Sequence, residues 1–177
     1  MRFVYDRSKA DELAGHLLQH SGGSMGMLKL LKLMYLADRA SLIETGFPIT
    51  GDAVVAMDMG PVLSNTYNRL KPEGGLGFIT HEPGNVRLDA PPPTDGRLSD
   101  YEIEVVRRVF EKFGHMSGQQ LTNYLHQHAP EWEAPPPGSS RPIDPAAILR
   151  AAGKSEDEIA AIATQADYFY SVDQRLA

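Results

Sequence analysis

One segment limits what this chain can fold into more than any other. Between Met27 and Thr45 it carries Leu28, Leu30, Leu31, Leu33, Met34, Tyr35, Leu36 and Ala37, which cover nearly the whole circumference of a helix. A helix that is apolar almost all round cannot lie on a surface, so the pattern predicts a central helix enclosed by the other elements. Gly46 and Pro48 supply the expected stop signals. Lys29, Lys32 and Arg39 share the one stripe left over. They are candidates for docking an acidic or nucleotide-bearing surface, with a plain solvated face as the alternative.

The remaining elements follow from periodicity and punctuation. Residues 8–20 read as an amphipathic helix on Leu13, Leu17 and Leu18, with Ser8 as the expected cap and Gly22-Gly23 as the stop. After a turn at Thr50-Gly51-Asp52, residues 53–57 read as a short strand. Gly60-Pro61 is expected to open a helix, with proline at its first position. Residues 77–81 and 86–88 form an expected hairpin across Pro83-Gly84-Asn85. Capping boxes are predicted at Ser99/Glu102, Ser117/Gln120 and Ser155/Glu158, and Asp144-Pro145 starts a further helix. The last helix presents Ile159, Ile162, Ala166, Phe169 and Tyr170 as one stripe. The expected fold class is α+β, mainly α-helical: a compact helical domain with a small antiparallel β element in the middle. One domain over 1–177 is expected, with a C-terminal helical extension over 144–177.

Composition narrows the function classes. With 42% hydrophobic and 23% charged residues in 177, the chain resembles an ordinary globular protein and not a disordered one. There is no cysteine, which removes disulfides, thiol nucleophiles and cysteine-ligated metals. The first residues lack the apolar run of a signal peptide, so a cytoplasmic location is expected, with no membrane partner. A net charge of -6 disfavours non-specific binding to nucleic acid. The charge is uneven: residues 151–177 hold two bases against five acids, whereas residues 1–50 are slightly basic.

Reactive constellations are sparse. No nucleophile elbow and no phosphate-binding glycine loop is present. His115, His126 and His128 are the candidate metal ligands, although residues two apart do not share a helical face. Asp52 and Asp58, with His81, are the candidates for hydrolysis, set against ordinary turn and capping roles for aspartate. Residues 99–127 have helix–turn–helix spacing. The second helix supplies Gln119, Gln120, Asn123 and Gln127 to an outward face but no base, so DNA binding is the alternative reading and not the preferred one. Met25, Met27, Met57 and Met59 are either adaptable contacts or core. No enzymatic activity, cofactor or metal is expected.

Three stretches together resemble a known family. They are Leu30-Leu31-Lys32-Leu33-Met34-Tyr35-Leu36-Ala37-Asp38 with Glu44-Thr45-Gly46-Phe47-Pro48-Ile49-Thr50-Gly51-Asp52, then Met59-Gly60-Pro61-Val62 with Tyr67 and Leu70, and finally Leu98-Ser99, Met116-Ser117, Tyr124-Leu125-His126 and Ala129-Pro130-Glu131-Trp132. Their order is similar to the Panacea domain of SocA-like antitoxins, a family also described as phage-associated, and the resemblance implies a domain core over about 8–135. The resemblance implies a type II antitoxin that neutralises a cognate protein toxin by direct binding. It also implies a proteolytic adaptor role, delivering the toxin to a Clp-type protease unfoldase. The chain departs from the family pattern at Met57-Asp58-Met59, where an aromatic is common, and at Leu125-His126-Gln127-His128. The expected partner-binding residues are Lys29, Lys32, Arg39, Met57, Asp58 and Met59.

Overall fold

The computed structural model describes residues 1–93 and 96–176. Helix α1 spans Arg7–His20, strand β1 Ser24–Gly26 and helix α2 Met27–Thr45. A hairpin follows, β2 (Val54–Met57) and β3 (Gly60–Leu63), then the short helix α3 (Ser64–Arg69). A second hairpin is made of β4 (Ile79–Glu82) and β5 (Asn85–Leu88). Helices α4 (Asp100–Phe113) and α5 (Gly118–His128), strand β6 (Arg141–Pro142), and helices α6 (Pro145–Ala151) and α7 (Glu156–Leu176) complete the order. The fold is mainly α-helical α+β. Its β part is larger than expected, being two three-stranded antiparallel sheets ordered β1-β5-β4 and β3-β2-β6.

Helix α2 is the centre. Leu30, Leu33, Met34, Tyr35 and Ala37 have no accessible surface, and α1, α4, α5, α6, β1 and β3 all pack on this helix. The main core fills the space between α2, its neighbouring helices and the two hairpins. A second, smaller cluster joins Leu42 of α2 and Ala56 of β2 to Ile143, Ile148, Leu149 and Ile159. The proline connector packs on α1, where a Cβ at Gly15 would come 2.4 Å from Pro92 Cβ. Beyond it, buried Glu12 accepts the backbone N–H groups of Arg97 and Leu98 at 2.8 and 3.2 Å.

Three expectations are corrected. Ser8 lies inside the first turn of α1, and the cap is Asp6, whose side chain accepts Lys9 N–H at 2.9 Å. Gly60-Pro61 does not open a helix. It starts β3, because Met57 and Gly60 close a two-residue turn and Pro61 pairs with Ala56. Proline is tolerated there because β3 is an edge strand, where one missing N–H costs no ladder bond. The helix begins at Ser64 because Asp52, remote in sequence, caps it by accepting the N–H groups of Asn65 and Thr66 at 3.0 and 2.8 Å. On α7 the expected stripe is only partly covered: Ile159 and Ala166 are buried, but Phe169 is 52% exposed and meets Phe47 edge-on. All three serine capping boxes form as expected.

Gly51 fastens the N-terminal segment to this frame. Its φ is +65, and a Cβ would stand 2.1 Å from the carbonyl oxygen of Val4. Gly51→Ala is expected to destabilise the protein by at least about 2 kcal/mol, combining left-handed strain with a backbone clash. Gly22→Ala, at φ +79 with nothing within 4 Å, should cost only about 1 kcal/mol. Urea denaturation of both variants measures the contrast.

Candidate partner-binding site

Helix α2 places Lys32, Tyr35, Asp38 and Arg39 along one face, at i, i+3, i+6 and i+7. That face is not solvated. Each of its polar groups is tied to a loop or an element end. Lys32 Nζ donates to Pro61 O at 3.0 Å. Tyr35 Oη donates to Glu131 Oε1 at 2.5 Å, and Arg39 donates to the same carboxylate from Nε and Nη2 at 2.6 and 3.2 Å. Asp38 accepts Thr50 N–H at 2.9 Å and Thr50 Oγ1 at 2.5 Å. Thr50 Oγ1 in turn accepts Asp52 N–H at 3.1 Å. On the neighbouring turn, Lys29 Nζ donates to Gly114 O, at the C-terminus of α4, at 2.6 Å.

The β2–β3 turn is held from three sides. Trp132 Nε1 donates to Met57 O at 3.1 Å, Thr122 Oγ1 to Met59 O at 3.2 Å, and Lys32 to Pro61 O. Trp132 also stacks on His126, with ring centroids 3.9 Å apart and planes 9° off parallel. With its carbonyls pinned inward, the turn presents Asp58 and Met59 to solvent, Met59 being 42% exposed. Asp58 Oδ2 accepts Gly138 N–H at 3.1 Å. Beside the turn lies a cleft of about 470 Å³, walled by Met27, Leu31, Met57, Met59, Val62 and Tyr67 and based on Lys32 and Gly60.

Four of the six sequence candidates, Lys32, Met57, Asp58 and Met59, thus meet at one cleft. Lys29 and Arg39 do not join them; they brace α4 and Glu131. Met27 lines the cleft, whereas Met25 is core. Thr122 and Trp132 were not among the site candidates, and His126 was one only as a metal ligand. The available signal was the single tryptophan, directly after a glutamate and a proline turn. His126 is stacked on Trp132, and His128 Nδ1 lies 2.9 Å from Tyr124 O. Among the described residues no group of three His, Cys, Asp or Glu side chains is arranged to hold a metal. Asp52 caps α3, Asp58 meets Gly138, and His81 Nε2 lies 2.8 Å from Leu70 O. Each member of the hydrolytic set is thus engaged locally. No helix of the described residues is long and apolar enough to cross a membrane.

Burial sets the electrostatics. It lowers the Lys32 pKa to about 7. Burial also lowers His126, and the Lys32 charge pushes it further the same way. Burial raises Asp38 to about 7 against the two bonds from Thr50, and raises Tyr35 with help from the Glu131 charge.

These shifts carry a sign. A lysine with a lowered folded pKa opposes folding below that pKa and ceases to do so as pH approaches the unfolded value. At pH 7 and below, Lys32→Met should therefore stabilise the protein by about 3 kcal/mol. This is the full linkage of about 5 kcal/mol less roughly 1–2 for stranding Pro61 O. The advantage should vanish between pH 7 and 10, read from urea midpoints across that range.

The family model described as antitoxin SocA-like, Panacea domain, matches residues 30–133. No curated protein and no solved structure matches the chain. The matched span is more than half of the chain and holds most of α2, both residues of the Glu131-Trp132 pair and the whole β2–β3 hairpin. The protein belongs to the SocA-like antitoxin family defined by the Panacea domain.

Proposed function

We propose that the protein is the antitoxin of a type II toxin–antitoxin system and neutralises a cognate protein toxin by covering it, with no bond made or broken. Family membership carries this reading. The geometry supports a location for the contact. A protein interface needs a few well-placed apolar anchors within a polar rim. The cleft beside the β2–β3 turn offers methionines, which adapt to varied partners, on a turn whose backbone is pinned. A pinned surface loses little freedom on binding, which favours affinity. Of the predicted contacts, Met57, Asp58 and Met59 are the direct ones in this proposal. Lys32 lies at the base of the cleft, and Lys29 and Arg39 act by bracing.

The proposal extends to an adaptor step in the cytoplasm, in which the bound toxin passes to a Clp-type protease unfoldase. Its motive is the family resemblance alone. Binding to the operon's own DNA has less support. On α4, Arg107 is paired with Glu104 and Glu111, and Arg108 with Glu44. With Lys112 of the same helix, these are the bases that DNA binding would set against phosphates.

Co-expression tests the main claim. A gene adjacent to this one should be toxic alone and harmless with the wild-type protein. Met59→Asp changes an exposed turn residue, so stability should stay within about 0.5 kcal/mol. Toxin affinity should nevertheless fall at least about tenfold through a charge set against apolar anchors. Full rescue by Met59→Asp would remove the cleft from the contact. If every neighbouring gene is harmless alone, the antitoxin reading fails.

A further inference from the structure

Helix α7 leaves two aromatic side chains largely in water, Phe169 at 52% and Tyr168 at 64% exposure. They end an edge-to-face chain of rings, Phe3–Phe47–Phe169–Tyr168, with successive centroids 5.8, 5.8 and 5.7 Å apart. An open apolar patch of this kind marks a surface that another molecule covers. The same part of the chain is acidic, since residues 151–177 hold two bases against five acids.

Two ring–carboxylate pairs lie on α7. The first is Tyr170 with Asp167, three residues apart, and it holds a guanidinium. Arg2 Cζ stands 4.7 Å from the Tyr170 ring centroid, and Arg2 Nε donates to Asp167 Oδ1 at 3.4 Å. The second is Phe169 with Asp173, four residues apart and therefore neighbours on the helix surface. Both line a cleft of about 410 Å³, across from Val4 of the N-terminal segment and Phe47 and Pro48 of the turn after α2. Asp173 is exposed and takes part in none of the ion pairs among the described residues. The bases that line the cleft are committed elsewhere, Arg2 to the first pair and Lys9 to Glu102 at 2.6 Å.

We propose that the Phe169–Asp173 pair takes an arginine side chain from a basic segment of a partner protein, as Tyr170 and Asp167 take Arg2. A guanidinium can lie against an aromatic ring and bond a carboxylate through its edge at the same time. The partner's neighbouring apolar side chains then cover Val4, Phe47 and Tyr168. Sign selects the class of partner: an acidic surface repels nucleic acid and attracts basic polypeptide. This face shares no lining residue with the cleft beside the β2–β3 turn, and α7 lies beyond the residues that the family model matches. The inference therefore stands apart from the antitoxin reading.

The test uses the full chain with isotope-labelled phenylalanine and tyrosine rings. It is titrated with the N-acetylated, C-amidated peptide Leu-Arg-Leu, with its Leu-citrulline-Leu counterpart, which keeps the shape and loses the charge, and with spermidine. The arginine peptide should shift the ring signals of Phe169 and Tyr168. It should bind at least about fivefold more tightly than the citrulline peptide. Asp173→Asn and Phe169→Leu should each lower that ratio at least about twofold; both change exposed side chains, and an unaltered circular dichroism spectrum checks that they fold. Arg2→Ala should open the first pair to the same peptide, read at the Tyr170 ring. Equal affinity of the two peptides, no binding of the arginine peptide at millimolar concentration, an unchanged ratio in either variant, a silent Tyr170 in Arg2→Ala, or tighter binding of spermidine would each overturn the proposal. Such a failure leaves rescue by the methionine cleft untouched. Harmless neighbouring genes would remove the toxin while leaving the arginine preference in place.

Discussion

A polar group taken out of water must find a partner inside the protein, and helix α2 buries several at once. Lys32, Asp38 and the hydroxyl of Tyr35 lie on a helix packed on every side. Each therefore recruits backbone or side chains from a segment that has little core of its own. Pro61 belongs to a four-residue edge strand, Thr50 to a turn, and Glu131 to the loop after α5. Individually such bonds contribute modestly, about 1–3 kcal/mol, and an all-apolar helix could be as stable. What the polar stripe adds is specificity. An apolar face would accept these loops in several arrangements, whereas a carboxylate gripped by both Tyr35 and Arg39 accepts one.

The consequence reaches the surface through the β2–β3 turn. Its carbonyls face inward to Trp132, Thr122 and Lys32, on the α5–β6 connection, α5 and α2 respectively. A two-residue turn would ordinarily be among the mobile parts of a fold. Here three donors from separate elements hold it, and its side chains are displayed on a fixed backbone. The second hydrophobic cluster serves the same end from below, since Ala56 of β2 shares it with Ile148 and Leu149 of α6 and Ile159 of α7. Strand β6 completes that sheet by pairing Arg141 and Pro142 with Ala56 and Val55. The C-terminal helices thus support the hairpin although they lie outside the matched family span.

Much of the frame was legible in the sequence because its signals are local. The leucine-rich run marked α2, and a serine three residues before Glu or Gln marked α4, α5 and α7, since capping is settled within one turn. Where distant residues decide, the reading failed. Gly60-Pro61 looks the same before a helix and in an edge strand; the difference is Asp52, which caps α3 from thirteen positions before Asn65. Strands β1 and β6 are three and two residues long and carry no alternation to read. The site shows the same division. Periodicity located the Lys29–Lys32–Arg39 stripe, but not whether water or loops would face it. Met57, Asp58 and Met59 were found together, while Thr122 was not, because its role depends on α5 crossing the turn.

The proposed antitoxin role calls for a surface that is ready before its partner arrives, and the α2 stripe accounts for that readiness. Native-state hydrogen exchange on the free protein tests it directly. The amides of Ala56, Val62 and Thr66 and the indole N–H of Trp132 should open only with the amides of α2, at one shared free energy. If the hairpin and the indole exchange through openings several kcal/mol easier than those of α2, the turn is not held by the buried stripe and the account is wrong.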